Sequence, residues 1–255
     1  MDRIIRFVIG DIVRNRIVVF YTVLLLLFTF GLFTLENRPE KAMLSMLNVV
    51  LILVPLVSII FSTIYYYNSS EFIELVLAQP VGRKRVLLVE FAGLSLSLVL
   101  AFLIGGGLPL LLYDQSAATF MLILAGTGVT VIFVSLAFLG SVLFRDKARG
   151  IGLALLIWFF FALIFDGLLL LLLYNFSDYP LEKPMLVFTM LNPIDIARML
   201  VITKMDAAAL MGHSGEVFRD FLTTFRGWLA AGAALLVWAM APLWGALRIF
   251  ERKDL

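Results

Sequence analysis

The stretch GIGLALLIWFFFALIFDGLLLLLLY, residues 150–174, decides the fold. It is long enough to cross a bilayer as a helix, which takes about 20 predominantly apolar residues. Its one charged side chain is Asp166. Barrel strands alternate apolar and polar positions over about ten residues, and Leu168 through Leu173 show no alternation at all. The segment is a transmembrane helix.

Working outward, further apolar runs of spanning length lie at 17–35, 44–66, 86–113, 117–143 and 227–248. Together the six runs take more than half of the 255 residues, in a chain that is 62% hydrophobic and 15% charged. Mean hydropathy is +1.05, far from the balance of a soluble domain. The fold class expected is an all-α integral membrane protein with six transmembrane helices, forming one domain over 1–255. Too little chain remains for a soluble catalytic domain.

Without cysteine, disulfides and thiolate metal sites are excluded. The first apolar run follows mixed residues and is not followed by a small-x-small cleavage site, so it is expected to stay in the membrane rather than be removed as a signal peptide. Orientation follows from where Lys and Arg fall. Arg3, Arg6, Arg14 and Arg16 precede the first span; Arg83, Lys84 and Arg85 follow the second; Arg145, Lys147 and Arg149 follow the fourth; Arg248, Arg252 and Lys253 end the chain. These segments alternate so as to share one face. Both termini are then cytoplasmic, in a bacterial inner membrane, and the segment 175–226 lies outside.

The arm at 1–16 groups Ile4, Ile5, Val8, Ile9 and Ile12 against Arg3, Arg6 and Arg14, the pattern of a helix lying in the membrane interface; a plain positive flank is the alternative. Pro55, the Gly105-Gly106-Gly107 run with Pro109, and Pro242 interrupt spans. Such breaks survive in lipid where neighbouring helices or cavities satisfy the freed backbone. Tyr65, Tyr66, Tyr67, Tyr113, Tyr174, Trp228 and Trp244 fall near span ends, as an aromatic belt requires.

In the outer segment, Asn192-Pro193 with Asp195 reads as a helix start, a cap followed by proline at the first helical position. Ile194, Ala197, Leu200 and Val201 give that helix an apolar face, and Gly212 can end it. Ser214 and Glu216 can begin a second, with Val217, Phe218, Phe221, Leu222 and Phe225 at helical spacing. Two amphipathic helices are therefore expected on, or dipping into, the outer membrane surface.

Enzymatic motifs are absent. No G-x-x-x-x-G-K-[ST] phosphate loop is present, and the single histidine, His213, offers no H-E-x-x-H pair. Asp166 lies 16 residues into its span, roughly 24 Å at 1.5 Å per residue, where an unpaired charge costs about 2.5–3.5 kcal/mol on insertion scales. It should face a partner or water, either lining a pathway or a subunit contact, or else pack the bundle as a hydrogen-bonded carboxyl. Methionines gather in the outer segment, and thioethers suit copper(I), which makes Met205, Met211 and His213 weak metal candidates. Irregular spacing favours packing instead.

The joint after the second span, Glu71-Phe72-Ile73-Glu74-Leu75-Val76-Leu77-Ala78-Gln79-Pro80-Val81-Gly82-Arg83-Lys84-Arg85, carries the strongest signal. Phe72, Leu75, Val76 and Val81 offer apolar anchors for a short helix, Glu71 and Glu74 favour its N-terminal turn, and Pro80 ends it. Arg83 and Arg85 then sit where acidic partners are reached. The positive-inside rule alone explains the bases but not the acids or the apolar side.

Glu74 through Leu77, Pro80-Val81, Arg83 and Val86-Leu87-Leu88, placed between the second and third of six spans, resemble the ABC-2-type permeases. Leu191 through Arg198 resembles, more narrowly, their NosY-type subfamily, permeases that help supply copper to nitrous oxide reductase. The resemblance implies a homodimer bound to two copies of an ABC ATPase, which would hold ATP and Mg while this chain holds no cofactor and is not itself an enzyme. The coupling segment would comprise Glu71, Phe72, Glu74, Leu75, Gln79, Pro80, Arg83 and Arg85. A periplasmic copper-handling protein would sit on the outer insert, around Asn192, Pro193, Asp195, Arg198, Phe218 and Phe221. Membrane lipids are expected around the chain, and nucleic acid is not. Two alternatives stay open: a general ABC-2 exporter of a lipid, glycan, drug or peptide, and a membrane scaffold or intramembrane enzyme working without an ATPase.

Overall fold

The computed structural model describes residues 15–36, 38–78, 82–176, 182–205, 220–222 and 224–252. All regular structure among them is helical. Six helices are long and apolar enough to cross a membrane, and their bounds fall within a few residues of the apolar runs. The interfacial arm proposed for the N-terminus lies outside the described residues.

The first span is α1 (Arg16–Leu35), capped by the Asn15 side chain, which accepts from the Ile17 amide at 2.9 Å. The second is α2 (Pro39–Asn68), followed at once by the short α3 (Ser70–Leu77). The third span runs from α4 (Arg83–Phe102) through a π-helical turn at Leu103–Gly107 into α5 (Leu108–Tyr113). The fourth is α6 (Ala117–Leu143). The fifth runs from α7 (Lys147–Phe159) through a second π-helical turn at Phe160–Ile164 into α8 (Phe165–Asn175). After α9 (Glu182–Met190) and α10 (Pro193–Ile202), the sixth span is α11 (Phe225–Arg252).

Helix α6 is the axis of the bundle, packed by α2, α4, α10 and α11. Its composition explains this position, because lipid tails are as apolar as leucine and helices in a membrane associate through close packing of small residues. Ala125, Gly126, Thr130, Ser135, Ala137, Gly140 and Ser141 are buried along it. At Gly126 the Phe102 ring fills the space a Cβ would need. At Gly105, in the first π-helical turn, a Cβ would come within 2.6 Å of the Thr22 carbonyl oxygen, so this glycine lets α1 approach the third span backbone to backbone. The fifth span has mean hydropathy 2.6 against 2.4 for α6, yet it is the least buried of the six. Its leucine run faces outward.

Pro55 and Pro242 are each braced from a neighbouring helix. A proline removes the hydrogen bond to the carbonyl four residues back and crowds that turn. Pro55 stands in α2, and the Trp158 indole N–H donates to the Ile52 carbonyl at 3.1 Å. Pro242 stands in α11, and the Ser135 hydroxyl donates to the Ala239 carbonyl at 2.7 Å. In each case a bond from another span reaches the carbonyl three residues before the ring, next to the one the proline frees.

Candidate functional site

One end of the bundle is basic, gathering Arg83, Lys84, Arg85, Arg145, Lys147, Arg149 and Arg248. Here α3 leaves α2 and presents the joint singled out in the sequence. Glu71 sits in its first turn, where a carboxylate suits the helix dipole. Glu71 and Glu74 are exposed, and Leu75 is 70% exposed. Phe72 and Val76 are half-buried, and the deepest anchor is Ile73, at 3% exposure. The short helix is thus pinned from below by Ile73 and shows two acids and a leucine outward. Gln79, Pro80 and Val81 lie outside the described residues.

The bases after it divide. Arg85 is exposed. Lys84 Nζ pairs with Glu251 at 2.9 Å, and the Arg83 guanidinium donates to the Glu251 carbonyl at 3.4 Å, so two of the three reach the end of α11. On the other side of α3, the Tyr67 hydroxyl donates to the Phe144 carbonyl at 3.0 Å and Lys147 Nζ donates to the Asn68 side chain at 2.8 Å. The joint is therefore stitched to the α6–α7 turn and to the last span. Sequence reasoning gathered these bases at one end but missed both ties, because each partner lies far along the chain.

At the other end, α9 and α10 form a V bent by 114°. Its apex reaches the middle of the bundle. Asn192 caps α10, its side-chain oxygen accepting from the Ile194 amide at 3.0 Å, while its side-chain N–H2 donates to the Phe161 carbonyl and to Asp195, both at 2.9 Å. Phe161 stands half-way along Lys147–Asn175, inside the π-helical turn where the hydrogen-bond ladder is reset. The Trp238 indole, half-way along α11, donates to the Met190 carbonyl at 3.4 Å. Two independent bonds place the apex at mid-span.

Of the two placements expected for this helix, lying on the outer surface or dipping in from it, the first does not occur. Ile194, Ile196, Ala197 and Val201 are all buried, so α10 enters the bundle instead of lying on it. Helix α9 was not foreseen. The second amphipathic helix was placed largely on residues outside those described, including Val217 and Phe218, and the metal candidates Met211 and His213 lie outside them too.

The proposed partner-contact residues are mostly used within the chain. Asn192 is 0% exposed, Pro193 and Asp195 are buried, and Phe221 packs on the core. Buried polar groups need internal partners, and Asn192 and Asp195 have them, so these side chains present no surface to another protein here. Arg198 pairs with Asp166 at 3.0 Å and with Asp195 at 3.2 Å. Of the readings open for Asp166, the structure shows a carboxylate paired to the hairpin, its side chain still 36% exposed.

Beside the hairpin base, Met205 and Met43 line a cavity of about 160 Å³ with Glu40, Asp114 and Lys204. Among the described residues no group of three or more Asp, Glu or His side chains is arranged to hold a metal ion, and Lys204 places a positive charge in the wall. The Thr119 hydroxyl oxygen lies 4.0 Å from the Met43 sulfur. Asp114, in the turn between the third and fourth spans, accepts from the Ser116 hydroxyl at 2.6 Å, the Thr119 hydroxyl at 2.7 Å and the Ser116 amide at 3.1 Å. Partial burial alone would raise its pKa, but these donors outweigh it and hold the carboxyl below the usual carboxylate range.

Residues 50–255 match the profile of the ABC-2 family transporter proteins. This chain belongs to that family. As an ABC-2 permease it is 30% identical, over 83% of its length and 80% of the relative's, to a protein of Pseudomonas aeruginosa named as a probable ABC transporter permease protein NosY. The protein of the same name from Stutzerimonas stutzeri is also 30% identical, over 82% of this permease and 79% of the relative. An ABC-2 permease is the membrane-spanning transport subunit, and membership in the family implies an ABC ATPase partner. The joint between the second and third spans and the hairpin before the sixth both lie inside the matched region.

Proposed function

We propose that this permease works as a homodimer with two copies of a separate ATPase, which binds ATP and Mg and docks on α3. The ATPase cycle would thereby drive rearrangement at the hairpin, in the service of copper delivery to nitrous oxide reductase. In this reading the basic end is cytoplasmic, with both termini on that side, and a periplasmic copper-handling protein is served on the far side. The observation that carries it is α3 itself, a helix pinned by Ile73 that turns Glu71, Glu74 and Leu75 outward at the basic end. Exposed acids flanking a leucine suit an acceptor cleft with an apolar floor and a basic rim. The likeness to permeases named NosY supports the maturation role.

The test is purification of the tagged permease from its own host. An ATPase subunit is expected to come with it at one copy per permease, and its absence would end the transporter reading. Glu74→Arg is expected to abolish that association while the permease dimer stays intact. Disruption of the gene is expected to leave nitrous oxide reductase copper-poor; a fully loaded reductase would remove the maturation role and leave the ATPase-coupled permease standing.

A further inference from the structure

Helices α6 and α11 touch at the basic half of the bundle and separate towards the other end. Ser135 bonds the Ala239 carbonyl, and Leu139 lies against Gly245. Beyond that point the helices leave a groove of about 570 Å³, walled by Leu124, Gly128 and Val131 of α6 and Leu229, Gly232 and Leu236 of α11. At both Gly128 and Gly232 a Cβ would meet nothing within 4 Å. No described segment fills the space these glycines open.

The dimensions and the charge of the groove select its occupant. Its α11 wall runs from Trp228 to Ala239, about 16 Å at 1.5 Å per residue, which matches the ~15 Å hydrocarbon depth of one leaflet. A single extended acyl chain lies along a furrow of this length. Arg226 is exposed at the open end. It shares the helix face of Leu229, Ala233 and Leu236 at spacings of three, seven and ten residues. Trp228 stands beside it at the depth where tryptophans meet headgroups.

From this geometry we infer that the α6–α11 groove is a phospholipid site, with one acyl chain between the helices and the phosphate on Arg226. The inference does not depend on which cargo the permease serves. The lipid wedges two spans apart above the Ser135–Ala239 contact, so its presence sets how far α11 can close on α6.

Native mass spectrometry of the purified permease tests this with two probes, dioleoylphosphatidylglycerol and dioleoylglycerol. Wild type is expected to retain one phospholipid per chain. Gly232→Leu and Gly128→Leu each place a side chain into open space, improve helix propensity, and are expected to lower retention of both probes about tenfold or more with unchanged melting. Arg226→Gln is expected to weaken only the phospholipid. Equal retention by wild type and both glycine variants would overturn the site, as would crosslinking of two permease copies through Gly232→Cys. An Arg226→Gln variant that holds phospholipid as wild type does would overturn the headgroup contact.

Discussion

The Arg198 guanidinium lies 3.0 Å from the Asp166 carboxylate, so a base carried by the hairpin meets the one acid of the fifth span. Asp195 sits 3.2 Å from the same nitrogen and is held in turn by Asn192. Four side chains on two elements form one connected polar group, joined to the backbone at Phe161. The fifth span shows most of its apolar surface outward, which leaves these bonds a large share in fixing it to the hairpin.

Removing one member of the pair is expected to cost more than removing both. Breaking a fully buried pair costs about 3–5 kcal/mol and an exposed one about 0–1 kcal/mol. With side chains 26% and 36% exposed, Asp166→Ala or Arg198→Met should lose roughly 1–3 kcal/mol, between those limits. The double variant should recover part of it. Thermal melts of the three variants in lipid nanodiscs complete the cycle, and strictly additive losses would show that the two side chains do not interact.

Asn192→Ala should be the most damaging single change at the apex. It deletes a helix cap, worth about 1 kcal/mol, and leaves the Phe161 carbonyl without its donor at mid-span, worth about 1–3 kcal/mol. Asn192→Ser keeps a capping oxygen but not the reach to Phe161 and should fall between. Hydrogen exchange at the Phe161–Ile164 turn reads the effect, and protection equal to wild type in Asn192→Ala would contradict the assignment.

Lys84 and Glu251 are exposed, so reversing either charge should shift stability by no more than about 1 kcal/mol. Their position matters more than their energy, since the pair ties the start of the third span to the end of the sixth. In the complex with its ATPase, Lys84→Glu should lower coupled turnover about fivefold or more, and adding Glu251→Lys should restore it. A double variant as poor as the single would mean that Lys84 acts through something other than Glu251.

The Asp114 carboxyl is held below its ordinary pKa by Ser116 and Thr119. The stabilisation from a lowered folded-state pKa is complete above the unfolded value, near 3.9, and is lost as pH falls through the lower folded value. Wild type should therefore lose stability relative to Asp114→Asn only on acidification below about pH 4. Melting curves of the two between pH 3 and pH 7 should converge at the acid end, and a constant gap would mean that Asp114 is not ionised in the fold.

The spans were legible because hydropathy adds up locally, and so was the cap at Asn192-Pro193, whose local bonds go to Ile194 and Asp195. The short helix after α2 was legible for the same reason, from its acids and the proline beyond it. What hydropathy could not rank was burial. The leucines of α8 and the residues of α6 score alike, and only the glycines, alanines and hydroxyls of α6 mark it as the centre. Nor could the sequence join Asp166 to Arg198, because the acid demands some base but names none. The Phe161 carbonyl carries no signal at all, being backbone, and with it went the evidence that the α10 start sits at mid-span.

The pairing of Asp166 with Arg198 also has an order in time. The acid leaves the ribosome 32 residues ahead of its base, which at 5–20 residues per second is an interval of about 2–6 s. During it, the carboxyl of the fifth span has no partner from the hairpin. The insertion machinery, or an already folded neighbour, therefore has to shelter this one helix until the hairpin arrives to claim it.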